Sequence, residues 1–143
     1  MTTLLSAGYT VGDAMLLQPT VHPADLTVAQ ARDAFTSSAK RHMLLLVADG
    51  ILVGTVTPDD LDPDTPPAAW AIGRASLEGR TVSLDAPLDQ THEEMCRRGI
   101  RRLAVTDGQG RLLGLLCLKR SRRGFCSDEG VAALRAERAN AAR

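Results

Sequence analysis

The spacing of hydrophobic positions along this chain predicts helices and strands in a fixed order. Val28, Ala31 and Phe35 recur at helical spacing and indicate an amphipathic helix. Two apolar runs follow at residues 43–47 and 52–57, which are typical of buried strands joined by a tight turn. A short extended segment precedes the helix and a second helix is expected after the strands. One unit therefore has the order strand, helix, strand, strand, helix.

Polar residues mark the helix starts in this pattern. Thr27 and Gln30 match a capping box, in which each side chain bonds a free backbone N–H group at the start of a helix. Asp59 and Asp60 lie where the second helix of the unit is expected to begin, and either carboxylate could cap it.

The pattern occurs twice, which predicts a duplicated structural unit. A shift of 61 places residues 20–21 on residues 81–82. Removing one residue from the loop after Val21 gives a shift of 60, which aligns the rest without further gaps: Val28 with Leu88, Leu45 with Val105, and Gly54 with Gly114. We assign residues 8–62 to the first unit, 63–70 to a proline-rich acidic linker, 71–123 to the second unit and 127–143 to a C-terminal helix. Because one unit of about 60 residues is marginal alone, the two are expected to share a core.

Composition and charge narrow the classes of function. The chain has 143 residues but one Tyr, one Trp and two Phe, so the core is expected to be aliphatic and a stacking platform for single-stranded nucleic acid is disfavoured. Residues 1–72 carry three basic and eight acidic side chains, a net charge of −5, and residues 73–143 carry +5. This split fits head-to-tail self-association or an anion site in the second half, and equally fits two solvated faces.

Three cysteines with no paired spacing, Cys96, Cys117 and Cys126, suggest reduced thiols. The N-terminus has no basic stretch followed by an apolar run, and no apolar run approaches the ~20 residues that span a bilayer. We therefore predict a soluble, cytoplasmic protein with no membrane contact.

Catalytic and metal sites are not expected. No Cys or Ser has an evident His and acid partner, and no glycine-rich phosphate loop occurs, so we predict neither an enzyme nor a cofactor. His92 and Cys96 lie four residues apart on a helix but lack further ligands, which argues against a metal site. The basic run at residues 119–123 could meet an acidic partner or nucleic acid, although such runs are usually solvated.

Four segments resemble the CBS (cystathionine-β-synthase) domain family: residues 11–15, 20–23, 28–31 and 52–61. The resemblance implies an α+β fold, a tandem CBS-domain pair of two pseudo-symmetric β-α-β-β-α units packed through their sheets. Such modules commonly form homodimers. Many bind AMP, ADP, ATP or S-adenosylmethionine between the units and pass that occupancy to a regulated protein, which here is expected to be a separate, unidentified partner.

The resemblance also assigns residue roles. It implies that Asp60 holds the ribose hydroxyls, that Thr57 contacts ribose or phosphate, and that the backbone near Thr20, Val21 and His22 meets the adenine edge. The family often places phosphate-contacting basic residues before the first long strand, which here are Arg41 and His42, and Arg101 and Arg102 in the second copy.

The second copy departs from the family pattern, because Cys117 replaces the expected Thr or Ser and Arg120 replaces the Asp. Arginine cannot accept hydrogen bonds from a ribose, so at most one standard site is expected, and Arg120 becomes a phosphate candidate. Three readings stay open: a nucleotide-sensing regulatory module, a structural dimerisation module without ligand, and an anion or nucleic-acid binder. Thr57 and Asp60 could also be a plain helix cap.

Overall fold

The structure is a computed structural model, and it describes residues 9–17, 19–37, 43–122 and 124–126. Its helices and strands are α1 (Val11–Ala14), β1 (His22–Pro23), α2 (Val28–Ser37), β2 (Leu44–Ala48), β3 (Ile51–Val56), β4 (Thr81–Ser83), α3 (Leu88–Arg98), β5 (Arg102–Thr106) and β6 (Leu112–Cys117). None of the helices in these ranges is long and apolar enough to cross a membrane.

Two three-stranded sheets form the framework, in the orders β1-β2-β3 and β4-β5-β6. In each sheet the short first strand runs parallel to the second, which pairs antiparallel with the third. One buried cluster joins the sheets, since Leu45 and Leu52 of the first pack with Ala104 of the second. The predicted α+β fold of two units packed through their sheets is confirmed. The predicted C-terminal helix lies outside the described residues.

Side chains and linker carbonyls together satisfy the start of α2. The predicted capping box is confirmed, because the Thr27 N–H donates to Gln30 Oε1 at 2.9 Å and the Gln30 N–H donates to Thr27 Oγ1 at 3.2 Å. The Val28 N–H donates to the carbonyl oxygen of Ala69 at 2.8 Å. The linker is thereby held against the start of α2.

The end of the first unit differs from the expectation. Where a second helix was predicted, the chain makes a single 3-10 turn at Pro58–Asp60. Prolines at positions 63, 66 and 67 cannot donate a helical hydrogen bond and disfavour helical geometry in the residues before them, so a longer helix cannot continue into this segment.

The strand register places the gaps of the repeat elsewhere than the sequence comparison did. Leu46 lies opposite both His22 and Gly54, and Val105 lies opposite both Val82 and Gly114. His22 is therefore equivalent to Val82, at a shift of 60, and Leu46 to Val105, at a shift of 59. The expected loop gap after Val21 is wrong, as is the pairing of Leu45 with Val105. The second unit has one residue fewer before its long strand and one more in its hairpin.

The two units exchange short segments. Val11 and Ala14 of α1 pack into the core of the second unit, with Leu88 and Leu116. In return, a 3-10 turn at Ala71–Arg74 packs onto the core of the first unit. Two isolated bridges continue the exchange, Leu16 with Leu115 and Ser76 with Thr55. The sequence boundaries assigned above therefore do not coincide with the packed units.

Glycine makes this exchange sterically feasible at equivalent positions of the two sheets. A Cβ atom on Gly54 would lie 2.6 Å from the Cβ of Ala75, and one on Gly114 would lie 2.5 Å from the carbonyl oxygen of Leu16. Contacts that short force the backbone or side chains apart. The aligned glycines of the repeat thus serve the approach of the exchanged segment.

The cysteine prediction was wrong for two of the three thiols. Cys117 at the end of β6 and Cys126 form a disulfide, and Cys96 is free. The Cys126 N–H also donates to the Cys117 carbonyl oxygen at 2.7 Å, which closes a hairpin around the basic run. The fold brings together two cysteines whose separation of nine residues has no recognised motif. The cytoplasmic prediction loses the support that it drew from reduced thiols.

We predict that the Cys126→Ser variant loses about 2–3 kcal/mol of unfolding free energy, because the disulfide closes a short loop in the unfolded chain. Denaturation with and without dithiothreitol measures this. The wild type and Cys96→Ser should be destabilised by the reductant, and Cys126→Ser should not respond. A wild type indifferent to dithiothreitol would contradict the bond.

Candidate functional site

Thr57 and Asp60 meet at the end of β3, as their spacing predicts. The Thr57 N–H donates to Asp60 Oδ2 at 2.7 Å and the Thr57 hydroxyl donates to the same oxygen at 3.1 Å. The Asp60 N–H returns a bond to the Thr57 carbonyl oxygen at 3.0 Å. These bonds fix the carboxylate of Asp60 at one orientation above the sheet edge.

The same hydrogen bonds occur at a second place in the chain. The N–H and hydroxyl groups of Thr10 donate to Asp13 Oδ2 at 2.8 and 3.2 Å, and Asp13 is exposed. A Thr-x-x-Asp cap is therefore a structural device that this chain uses at more than one helical turn. Whatever distinguishes Asp60 must come from its other neighbours.

Asp60 is distinguished by an arginine from the second half of the chain. Arg80 Nη1 donates to Asp60 Oδ2 at 2.7 Å and Arg80 Nη2 donates to Asp60 Oδ1 at 3.0 Å, which is the bidentate geometry of a strong pair. The two side chains are 23% and 18% exposed, so water screens the pair only in part. We call Thr55, Thr57, Asp60 and Arg80 the Asp60 cluster.

Several contacts hold Arg80 in this position. It ends a turn that starts at Leu77, with Gly79 at φ +72°, a conformation that favours glycine. Arg98 Nη2 donates to the Gly79 carbonyl oxygen at 2.9 Å and holds the turn against α3. Arg80 Nη1 also donates to the carbonyl oxygen of the fully buried Thr55 at 3.0 Å. Arg80 is thus positioned by both units.

The electrostatics of the cluster favour the ionised forms of both groups. Burial alone raises the pKa of the Asp60 carboxyl, but hydrogen bonds from Arg80 and from the Thr57 backbone outweigh it and hold the pKa below its ordinary value. The Asp60 hydrogen bonds raise the pKa of Arg80 against the opposing effect of burial. The cluster therefore carries a fixed negative and a fixed positive charge side by side.

Thr20, Val21 and His22 do not join the Asp60 cluster. His22 of β1 is in register with Gly54 of β3, and β2 runs between them, so the two strands are about 10 Å apart. Thr57 lies three residues beyond Gly54 and is farther still from His22. Val21 instead lines a cavity of about 280 Å³ with Leu17, Val47 and Leu113. This mainly apolar cavity, which we call the Val21 cavity, lies where the two units meet.

The basic candidates are scattered. Arg41 and His42 lie outside the described residues. Arg101 Nε donates to the Leu118 carbonyl oxygen at 3.2 Å. Arg102 begins β5, two residues before Ala104, whose N–H donates to the carbonyl oxygen of Arg80. Burial, and then the neighbouring Arg101, lower the pKa of Arg102 to about 10, so this guanidinium is charged at neutral pH in a poorly solvated position.

The second unit does not reproduce the Asp60 cluster. Cys117 is buried and bonded to Cys126, and Arg120 is exposed in the turn after β6. By the strand register, Thr20 is the counterpart of Arg80. Asp60 and Arg80 of one place thus correspond to Arg120 and Thr20 in the other, and neither of these two side chains offers a carboxylate to a ribose.

His92 and Cys96 do adjoin one another on α3, with 3.7 Å between Cys96 Sγ and His92 Nε2. The same His92 nitrogen lies 2.6 Å from the carbonyl oxygen of Arg122. Within the described ranges, no three His, Cys, Asp or Glu side chains group together as metal ligands would.

Comparison with known proteins identifies the fold. The family model of the CBS domain matches residues 78–120, which span β4, α3, β5 and β6. The cystathionine β-synthase pair domain of a putative Mg²⁺ transporter from Shewanella oneidensis matches with a TM-score of 0.67 and 24% identity, over 90% of this chain and 71% of that one. The chain folds as a CBS-domain pair. No curated protein sequence matches it.

Two further CBS-fold structures were solved with ligands. The structure of CBSX2 in complex with AMP has a TM-score of 0.65 and 24% identity, over 91% of this chain and 99% of that one. A CBS-domain pair in complex with 5′-methylthioadenosine and S-adenosyl-L-methionine has a TM-score of 0.58 and 18% identity, over 90% and 97%. Identities this low establish a shared fold.

Sequence reasoning missed Arg80. The shift of 61 had placed Thr81 on Thr20, which concealed that Arg80 is the counterpart of Thr20. A signal was available, because a single shift of 60 through residues 10–36 aligns the buried Val11 with the buried Ala71 and leaves Arg80 opposite Thr20. No local sequence pattern indicates the exchange of segments that places Arg80 beside Asp60.

We predict that Asp60→Asn lowers the unfolding free energy by about 1–2 kcal/mol at pH 6, because it removes a charge-assisted hydrogen-bonded pair. Since the folded pKa of Asp60 is lowered, its stabilisation is complete above the ordinary value of 3.8 and is lost as the pH falls through the folded pKa.

Urea denaturation from pH 6 to pH 2 should therefore show that the difference in unfolding free energy between wild type and Asp60→Asn disappears below pH 3.8. Asp107 also has a lowered pKa, but it is present in both proteins and cancels in the difference. The exposed Asp59→Asn is the matched control and should follow the wild type. A difference in unfolding free energy that stays constant with pH would contradict the ion pair between Asp60 and Arg80.

Proposed function

We propose that this CBS-domain pair is a regulatory module that binds an adenosyl nucleotide at the Asp60 cluster. The observation that supports this most strongly is the partly buried carboxylate of Asp60, held by Thr57 at the junction of the two units. One carboxylate can accept both hydroxyl groups of a ribose. CBSX2, which shares this fold, was solved in complex with AMP, and this supports the proposal.

The roles of the other residues follow from the pseudo-symmetry. Beside Asp60, the counterpart of Thr20, Val21 and His22 is the segment at residues 80–82. We therefore propose that the backbone of residues 80–82 meets the adenine edge there. Val21, with its chain neighbours Thr20 and His22, would serve the Val21 cavity, whose apolar lining suits a flat ring. Arg120 has the position in the second copy that Asp60 has in the first, and it does not line this cavity.

We further propose how occupancy acts. The Asp60 cluster joins residues from both units, so a ligand bound there has different contacts in different relative placements of the units. A ligand shifts such an equilibrium by its differential affinity for the two states. We propose that a homodimer of this module, acting in the cytoplasm without catalysis of its own, passes the change to a separate protein.

One observation favours a second candidate, a dimerisation module without ligand. Three donors, the Thr57 N–H, the Thr57 hydroxyl and Arg80 Nη1, already converge on Asp60 Oδ2, so the carboxylate is well satisfied by the chain itself. A cap and an ion pair explain these contacts fully. The two candidates differ in whether Asp60 is needed for stability alone or also for binding.

Titration calorimetry with AMP, ADP, ATP and S-adenosylmethionine separates them. The proposal expects one site per chain for at least one ligand, and it expects Asp60→Ala to weaken that ligand at least tenfold, or about 1.4 kcal/mol. Asp59→Ala, with an exposed side chain next in sequence, is the control and should bind as the wild type does.

If a folded wild type binds none of the four ligands at millimolar concentration, the sensing function is refuted and the dimerisation module stands. If binding occurs but Asp60→Ala leaves it unchanged, the site lies elsewhere, and the Val21 cavity becomes the candidate.

A further inference from the structure

We infer that Arg80 sets the ligand class of the Asp60 cluster: the site accepts adenosine phosphates and rejects neutral or cationic adenosyl compounds. This rests on the proposed function and adds the chemical requirement that the ligand must meet. The observation behind it is the bidentate ion pair between Arg80 and Asp60, which occupies the group that a ribose would need.

The hydrogen-bonding capacity of Asp60 shows why the pair must open. A carboxylate offers about four acceptor positions. Oδ2 receives three donors, two from Thr57 and one from Arg80, and Oδ1 receives Arg80 Nη2. Each oxygen has about two of these positions, so the vacancy is a single position on Oδ1. A ribose diol brings two donors, and only one of them can occupy it. The diol can bind with both hydroxyl groups only after Arg80 has withdrawn.

Withdrawal leaves Arg80 in need of a new partner. Its side chain is 23% exposed, so water compensates the separated guanidinium only partly. Its contacts with Thr55, from Nη1 to the carbonyl oxygen at 3.0 Å and to the hydroxyl at 3.4 Å, supply dipoles and no counter-charge. A phosphate on the same ligand restores the pairing, and guanidinium groups bind phosphate oxygens in the same bidentate way.

The net charge of the ligand points in the same direction. Separating Asp60 from Arg80 leaves the guanidinium of Arg80 without its carboxylate. Adenosine brings no negative charge to compensate, and S-adenosylmethionine, with its sulfonium and a net positive charge, would add to the imbalance.

The test compares AMP, adenosine and S-adenosylmethionine by calorimetry on wild type, Arg80→Gln, Arg80→Lys and Arg74→Gln. Arg74 is exposed at the end of the nearby 3-10 turn and serves as the matched control. We expect the wild type and Arg74→Gln to bind AMP at least about tenfold more tightly than the other two ligands.

Arg80→Gln should reverse this pattern, since adenosine binds more tightly once Asp60 is released and AMP binds more weakly without its counter-charge. Arg80→Lys should keep the preference for AMP. Arg80→Met, which also lacks the positive charge, replaces the glutamine variant if that variant fails to fold. A residue with a purely structural role would weaken all three ligands together.

Two outcomes overturn the inference and are distinguishable. If the wild type binds adenosine or S-adenosylmethionine as tightly as AMP, or if folded Arg80→Gln keeps the tenfold preference, Arg80 does not set the class, although the nucleotide site stands. If neither the wild type nor the Arg80 variants bind any of the three ligands, the proposed function fails and the inference fails with it.

Discussion

The exchange of short segments between the two units is the constraint on which the rest of this structure depends. Each sheet has only three strands, and one face of each core is covered by a segment that precedes the other unit in sequence. Gly54 and Gly114 permit that close approach at equivalent places. Because each core is completed by a segment adjoining the other unit, neither can form as described without the other, and residues distant in sequence meet at their junction.

The Asp60 cluster is a product of this exchange. The segment that crosses β3 at Ser76 continues directly to Arg80, which therefore reaches a carboxylate on the other unit. Asp60 comes from the negatively charged first half of the chain and Arg80 from the positively charged second half, and they form this partly buried pair. A nucleotide phosphate and ribose could together replace each partner of the pair, which connects ligand binding with the contact between the units.

Local sequence patterns predicted the local structure, but they could not predict contacts between residues distant in sequence. The period of apolar residues and the Thr27–Gln30 capping box were enough to predict α2. The repeat and its resemblance to a known family were enough to predict the fold class. The proximity of Thr57 and Asp60 followed from their spacing. Arg80 was missed because a one-residue error in aligning the repeats concealed its position, and the Cys117–Cys126 bond was missed because the turn that joins them has no motif. Thr20 and Asp60 were grouped in one site because the sequence does not show which strand lies between.

Whether a nucleotide binds between the units at Asp60 and Arg80 can be measured by an NMR titration with AMP that follows backbone amide and arginine side-chain resonances. We expect saturable shifts concentrated at Thr57, Asp60 and Arg80, with a change in the Arg80 guanidinium signals as it exchanges carboxylate for phosphate. Shifts confined to the exposed Lys119 and Arg120, or the absence of shifts at millimolar AMP, would contradict it.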